Sequence, residues 1–215
     1  ALAQYVLSPL PADPKWGEAE IAASKAILDP GPPVAKPVYT ADPLNLFVVV
    51  EAGDHHATIL DGDSFTPIAR FPTHFALHGG PKFTPDGRYV FFMSRDGWVT
   101  KFDMWSLKPV AEVRASINAR NIAISKDGKH LAVANYLPRS LVILDTATLE
   151  VEKYFDVADK NKQPSRVSAV YQAPQRDSFI AALKDVPEVW EIATNPNASA
   201  VHTGLVHSYE KGMEE

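Results

Sequence analysis

A spacing of 42 residues constrains this chain more than any other feature it carries. Asp61, Asp103 and Asp145 stand 42 residues apart, and each closes a short apolar run: 57–61, 98–103 and 140–145. A second apolar run precedes each of these, at 46–50, 89–92 and 131–134. A small turn and a matching pair follow each Asp (Ser64 and Phe65, Ser106 and Leu107, Thr148 and Leu149), and then comes another short strand. Between units, Asp86–Gly87 and Asp127–Gly128 mark tight turns in which Gly supplies the positive φ. Each unit therefore reads as four short antiparallel strands. A period of roughly 40 to 45 residues with four strands is the β-propeller signature. A fourth, blurred unit pairs 179–183 with 188–192, replaces the Asp turn by 195–198 and closes with Val201, His202 and Thr203. A β-sandwich also spaces its strands regularly, but it has no need of a fixed recurrence. The expected fold is all-β, a β-propeller with about four blades in this chain.

The stretch before the repeat has a different texture. Residues 8–43 hold eight of the eighteen Pro, interrupted by a short amphipathic segment between Trp16 and Leu28. Pro30, Pro32, Pro33 and Pro37 favour an extended, semi-rigid path, so residues 1–43 read as a connector and 44–215 as propeller. The opening residues 1–7 carry a helical pattern without an N-cap, which suggests a chain cut from something longer.

Composition narrows the function classes. The net charge of −5 and scattered Lys and Arg lack the basic stripe of a nucleic-acid binder. The longest apolar run, 46–50, is far short of the roughly 20 residues of a membrane-spanning helix. With no Cys there is no disulfide, no covalent C-x-x-C-H haem attachment and no thiolate metal site. No nucleophile elbow, P-loop or H-E-x-x-H motif is present, so hydrolase and nucleotide readings have no support.

Seven His are the remaining candidate ligands. His130, His202 and His207 read as ordinary half-buried or surface residues. His55 and His56 fall at a hairpin tip, where adjacent side chains of an extended segment point to opposite faces. His74 and His78 lie in the irregular link between the first and second units. Such links border the central channel of a propeller, where ligands sit. Gly79 and Gly80 then let the backbone turn sharply and let a flat group approach, and a neutral imidazole is a good iron ligand. On spacing alone, a turn that happens to contain His is the stronger reading of His78. Arg95, before an Asp–Gly turn, and Arg120, at the start of a strand, sit where bidentate clamps on carboxylates would be useful. Surface or inter-blade ion pairs are an equal reading for both.

The run 87–97 (Gly-Arg-Tyr-Val-Phe-Phe-Met-Ser-Arg-Asp-Gly), followed by 99–105, resembles the d1-haem propeller of cytochrome cd1 nitrite reductases and their relatives. So do 5–18, 119–125, Ala134–Tyr136, 145–150, Arg166–Val167 and Leu183–Lys184, in the same order. The resemblance implies an eight-bladed propeller carrying d1 haem, of which 44–215 would be the first half. Residues 1–43 would then link it to a cytochrome c domain with its own haem c. It implies that His78 is the proximal ligand to the haem iron, that Arg95 and Arg120 hold the acidic side chains of the macrocycle, and that Tyr136 lies against it. The chain departs from the nitrite reductases, with Val50–Gly53 where they carry an Arg and Gly79–Lys82 after the His where they carry Ile-Ser-Arg. These departures point to the dihydro-haem d1 dehydrogenase branch, which oxidises a propionate of dihydro-haem d1 to an acrylate in the last step of d1-haem biosynthesis. Electrons would pass to the c-type haem, and the general base would lie in blades outside this chain, so no catalytic residue is assigned within it. The resemblance further implies a periplasmic location, a role in denitrification, and contacts with nitrite reductase and other d1-haem assembly proteins. A nitrite reductase, a non-catalytic d1-haem carrier and, more weakly, a generic protein-binding propeller are the other readings.

Overall fold

The computed structural model describes residues 14–194 together with the backbone of His202–Leu205, and in it the repeat is laid out as successive antiparallel sheets. A short helix α1 (Glu18–Ser24) and a two-residue strand β1 (Ala26–Ile27) precede them. The first blade holds β2 (Leu46–Glu51), β3 (His56–Asp61) and β4 (Pro67–Pro72). The second holds β5 (Lys82–Phe83), β6 (Tyr89–Met93), β7 (Trp98–Asp103) and β8 (Lys108–Arg114), with β1 added at its outer edge. The third holds β9 (Asn118–Ile124), β10 (His130–Leu137), β11 (Ser140–Asp145) and β12 (Val151–Asp156). The fourth holds β13 (Val167–Ala173), β14 (Ser178–Leu183), β15 (Glu188–Ala193) and β16 (His202–Leu205).

The recurring Asp has a local job. Asp61 accepts from the backbone of Asp63, Asp103 from that of Trp105 and Asp145 from that of Thr148, so each carboxylate starts the turn that follows its strand. Each turn ends on a residue at positive φ, namely Phe65 (55°), Leu107 (55°) and Leu149 (60°), which are also 42 residues apart. The expected glycine turns are present, with Gly87 at 71° and Gly128 at 74°.

The first blade departs from the four-strand expectation. Its innermost strand is absent among the described residues, because the chain enters from the connector through a turn closed by Asn45 N–H to Asp42 O, and Pro43 has no N–H to give a ladder. The innermost strand of the second blade is only two residues long for a related reason, since Pro81 and Pro85 flank it closely.

Four blades make three interfaces, and each has an apolar core. Phe71, Phe92 and Phe102 fill the first, with Phe71 stacked on Phe102 at 4.2 Å between centroids. Phe91, Val99, Ile122, Leu131, Leu144 and Leu149 lie in the second. Leu141, Val170, Phe179 and Trp190 lie in the third. The connector docks on the second core. A seven-residue helix is marginal alone, but Ile21 is fully buried, which contributes roughly 2 kcal/mol, and Trp16 donates its indole N–H to Arg114 O. Between Pro30 and Pro37 the chain has neither helix nor strand, as the Pro pattern implies. Among the described residues no helix is long and apolar enough to cross a membrane. The helical pattern at 1–7, the turn at 195–198, Val201 and His207 lie outside the described residues.

Candidate functional site

The link from β4 to β5 is fixed along its length. His78 N–H bonds to Met93 O at 2.8 Å, Arg95 N–H to Ala76 O at 3.0 Å, and Ala119 N–H to Arg95 O at 3.1 Å. The link, the turn holding Arg95 and the inner strand β9 are thus stitched together. This chain of bonds brings His78 to Arg120, which stands one repeat, 42 residues, after it. Positions equivalent in consecutive blades meet because inner strands converge on the propeller axis.

The imidazole of His78 is half-buried, and its Nδ1 lies 2.7 Å from the carbonyl oxygen of Arg120. A carbonyl only accepts, so Nδ1 carries the proton and the neutral ring presents its Nε2 lone pair. That is the donor an iron needs, oriented by the outer hydrogen bond that fixes a ligating His. Val50, Leu77, Phe92 and Met93 line a cavity of about 230 Å³ beside it.

Gly79 is required by this arrangement. Its φ is +81°, and a Cβ there would sit 3.2 Å from Asn121 Nδ2, 3.3 Å from Asn121 Cα and 3.5 Å from Arg120 O. The immediate reason for this glycine is therefore the close approach of the link to β9. Asn121 is itself locked, since its Oδ1 accepts from Val170 N–H in the fourth blade. Lys82 donates from Nζ to Gly79 O and Gly80 O, and burial lowers its pKa.

Arg120, whose carbonyl holds His78, joins a cationic cluster through its side chain. The guanidinium of Arg120 lies 5.3 Å from the ring centroid of Tyr136, that of Arg166 5.1 Å and the ammonium of Lys184 5.7 Å. A register shift between β10 and β9 at Ala134–Asn135 breaks the ladder just before Tyr136, the kind of bulge that re-aims a side chain. Asp185 neutralises Arg166 through paired hydrogen bonds, and the Arg166 guanidinium holds the Asp185 carboxyl down to about 2. Among the described residues, Arg95, Arg120 and Lys184 have no carboxylate partner, whereas Arg70, Arg88, Arg166 and Arg176 each have one. Three cations gathered on one aromatic ring with a single counter-ion, Asp185, suit a ligand that brings carboxylates.

Of the four residues singled out in the sequence, Arg120 meets His78 through its carbonyl and Tyr136 through its guanidinium, and Arg95 is tied to the same link and strand through its backbone while its side chain is exposed. Arg166 and Lys184 were not read as site residues. A signal for Lys184 existed, because Lys184–Asp185 occupies the turn between second and third strands of its blade, as Arg95–Asp96 does in the second blade.

The other His among the described side chains are engaged elsewhere. His74 Nε2 lies 2.8 Å from Glu112 Oε2 and its ring stacks on Trp98, and His130 Nδ1 lies 2.5 Å from Glu152 Oε2. His56 Nδ1 faces Asp54 O, and His55 turns at φ 60° against Phe75. Among the described residues no group of His, Asp and Glu is arranged to hold a metal ion.

A family model described as the cytochrome D1 heme domain matches residues 41–206. Dihydro-heme d1 dehydrogenase of Pseudomonas aeruginosa is 56% identical over 193 residues, which is 89% of this chain and 39% of that protein. The chain thus spans about two fifths of that relative's length. A solved structure of dihydro-heme d1 dehydrogenase NirN in complex with DHE superposes with a TM-score of 0.90 at 53% identity, covering 97% of this chain and 45% of that one. The β-propeller domain of Myceliophteria thermophila Cps50 (Swd1), at TM-score 0.55, 13% identity and 66% of this chain against 47% of its own, shares the fold alone.

Proposed function

The chain belongs to the cytochrome D1 heme domain family, and on that premise we propose that it is part of a dihydro-haem d1 dehydrogenase. In this reading, residues 44–215 form the first half of a propeller that holds dihydro-haem d1 at its axis, and 1–43 lead in from a cytochrome c domain. The observation that carries the proposal is the geometry of His78. Its Nδ1–H is committed to Arg120 O, and among the described residues its Nε2 has no hydrogen-bond partner and Arg120 and Lys184 have no carboxylate partner.

His78 Nε2 would hold the iron, which would anchor the substrate without entering the reaction. Arg120 and Lys184 bind its carboxylates, with Arg166 tethered to Asp185 and Arg95 at the rim. Tyr136 supplies an aromatic face against which the cations, and the edge of a flat macrocycle, can pack. Fixing the acidic side chains sets which propionate reaches the reacting position, which is the share of catalysis a binding half can supply. The oxidation removes one hydrogen from each of the two propionate methylenes. It would release two electrons and two protons. A c-type haem takes one electron at a time, so it would be reduced twice per turnover and would pass the first electron to an external acceptor before taking the second, and the protons would go to a base carried by the rest of the protein. A periplasmic site of action, among proteins of d1-haem assembly and nitrite reductase, follows from the same reading.

The test is an absorbance time course of the full-length protein mixed with dihydro-haem d1. Conversion to d1 haem together with reduction of a c-type haem is expected. Stable binding without conversion would instead make the protein a carrier or a nitrite reductase, and no binding would remove the haem reading altogether.

A further inference from the structure

The repeat contains its own control for one buried residue. Ile59, Lys101 and Ile143 occupy the same position, two residues before the recurring Asp, in three consecutive blades. Both Ile are buried, at 0% and 4% exposure, and Lys101 is buried as well, at 8%. A propeller interface that accepts Ile twice has no structural need of an ammonium at the third, and burying one is unfavourable unless something compensates it.

The compensation inside the protein is partial. Lys101 Nζ donates to Ala147 O at 3.0 Å, across to the third blade, and lies 4.3 Å from the centroid of the Tyr89 ring. An ammonium has three donors, and no carboxylate lies within ion-pair distance of this one among the described residues. Of the other charges nearby, Arg88 is paired to Asp103 and Lys108 to Asp29, while the Asp145 carboxylate acts on Lys101 only from beyond ion-pair distance. Burial accordingly lowers the Lys101 pKa.

Lys101 faces a cavity of about 610 Å³. Pro32 and Pro33 of the connector form one wall and Tyr89 another, and Ser106 contributes a hydroxyl whose Oγ is buried without a partner. The connector is held over the cavity by Arg88 donating to Val34 O at 3.0 Å, by Leu28 N–H to Val110 O and by the Asp29–Lys108 ion pair. The cavity is thus a partly open, largely apolar space with one ammonium that has no carboxylate in contact and one unused hydroxyl, its lining carboxylates Asp29 and Asp103 being paired to Lys108 and Arg88, and it is of a size that holds a small molecule.

We propose that this cavity, between the second and third blades beneath the connector, binds a small organic monocarboxylate, with its carboxylate on Lys101 Nζ and Ser106 Oγ and its apolar body against Tyr89 and the connector prolines. One ammonium without a contacting counter-ion, beside a free hydroxyl, suits one carboxylate, and the walls call for an apolar remainder. The site shares no residue with the His78 cluster and stands or falls independently of the haem reading.

Benzoate is the probe, titrated calorimetrically into the full-length protein, with benzamide as its neutral counterpart. Saturable one-to-one binding of benzoate is expected, with no binding of benzamide. The Lys101→Ile variant, which restores the residue of the neighbouring blades, should weaken benzoate binding at least tenfold, and Ser106→Ala about threefold. A measurement on the unaltered protein guards against a variant that does not fold: benzoate, and not benzamide, should slow acetylation of Lys101 relative to the exposed Lys36, read by peptide mass spectrometry. Absence of saturable benzoate binding, equal affinity in Lys101→Ile, or equal binding of benzamide would each overturn the proposal.

Discussion

The His78 cluster and the Lys101 cavity both break a repeating architecture, in opposite ways. His78 sits in an irregular link for which the repeat has no template, and its neighbours are set by a stitched backbone and a bulge. Lys101 sits inside a regular strand, at a position for which the repeat supplies Ile on both sides. A departure in a link costs little, because links are solvated and irregular anyway. A departure within a strand core is costly and is retained against that cost. The second kind is thus the stronger internal sign of a site, although the first kind carries the chemistry that the family implies.

The sharpest way to break this comparison is to carry the departure to the next blade. Ile143→Lys, at 4% exposure in an apolar core, is expected to destabilise the full-length protein by about 2 kcal/mol or more in urea unfolding. Lys101→Ile is expected to stay within about 1 kcal/mol of the unaltered protein. Equal losses would mean that Lys101 is a structural tether to Ala147.

On the other side, Gly79→Ala tests how tightly the link is set. A Cβ at φ +81° and against Asn121 should cost about 1–2 kcal/mol of stability and move His78 off Arg120 O, read as a lower melting temperature together with weaker d1-type haem binding. Arg120→Gln and Lys184→Met should each lower the affinity for d1-type haem about tenfold, or ~1.4 kcal/mol, in an absorbance titration. Arg176→Gln, whose side chain is paired to Glu191 on another part of the fourth blade, should leave that affinity unchanged.

The smallest effect is one of pH. Asp185 titrates near about 2 because of Arg166, below the ordinary carboxylate range, so its contribution is complete above about pH 4 and is lost as pH falls through about 2. The pair is partly exposed, which keeps the contribution modest. The melting-temperature gap between the unaltered protein and Asp185→Asn should therefore be constant above about pH 4 and close below it.

Much of the fold was legible because a propeller repeats its turn chemistry. Asp61, Asp103 and Asp145 start equivalent turns, and the pairs that follow them end on the same left-handed conformation. The three-stranded first blade was not legible, because the missing inner strand reflects where the chain enters the ring and not a residue pattern. His78 stood out only through its glycines and the family resemblance. Its real partner, the Arg120 carbonyl, is a backbone group, and backbone acceptors leave no mark in a sequence. Arg166 and Lys184 join the site through tertiary convergence on Tyr136. Lys101 was legible in principle, since lining up the three repeats puts it between Ile59 and Ile143, but its meaning depends on knowing that the position is buried.

The most direct test of the central claim is the ligation of iron by His78, read by electron paramagnetic resonance of the ferric full-length protein with bound d1-type haem. His78→Ala should lose the axial-nitrogen signal, and added imidazole should restore it by filling the vacated position, whereas His55→Ala and His56→Ala should give the unaltered spectrum. An unchanged spectrum in His78→Ala would contradict the account, because another residue would then hold the iron.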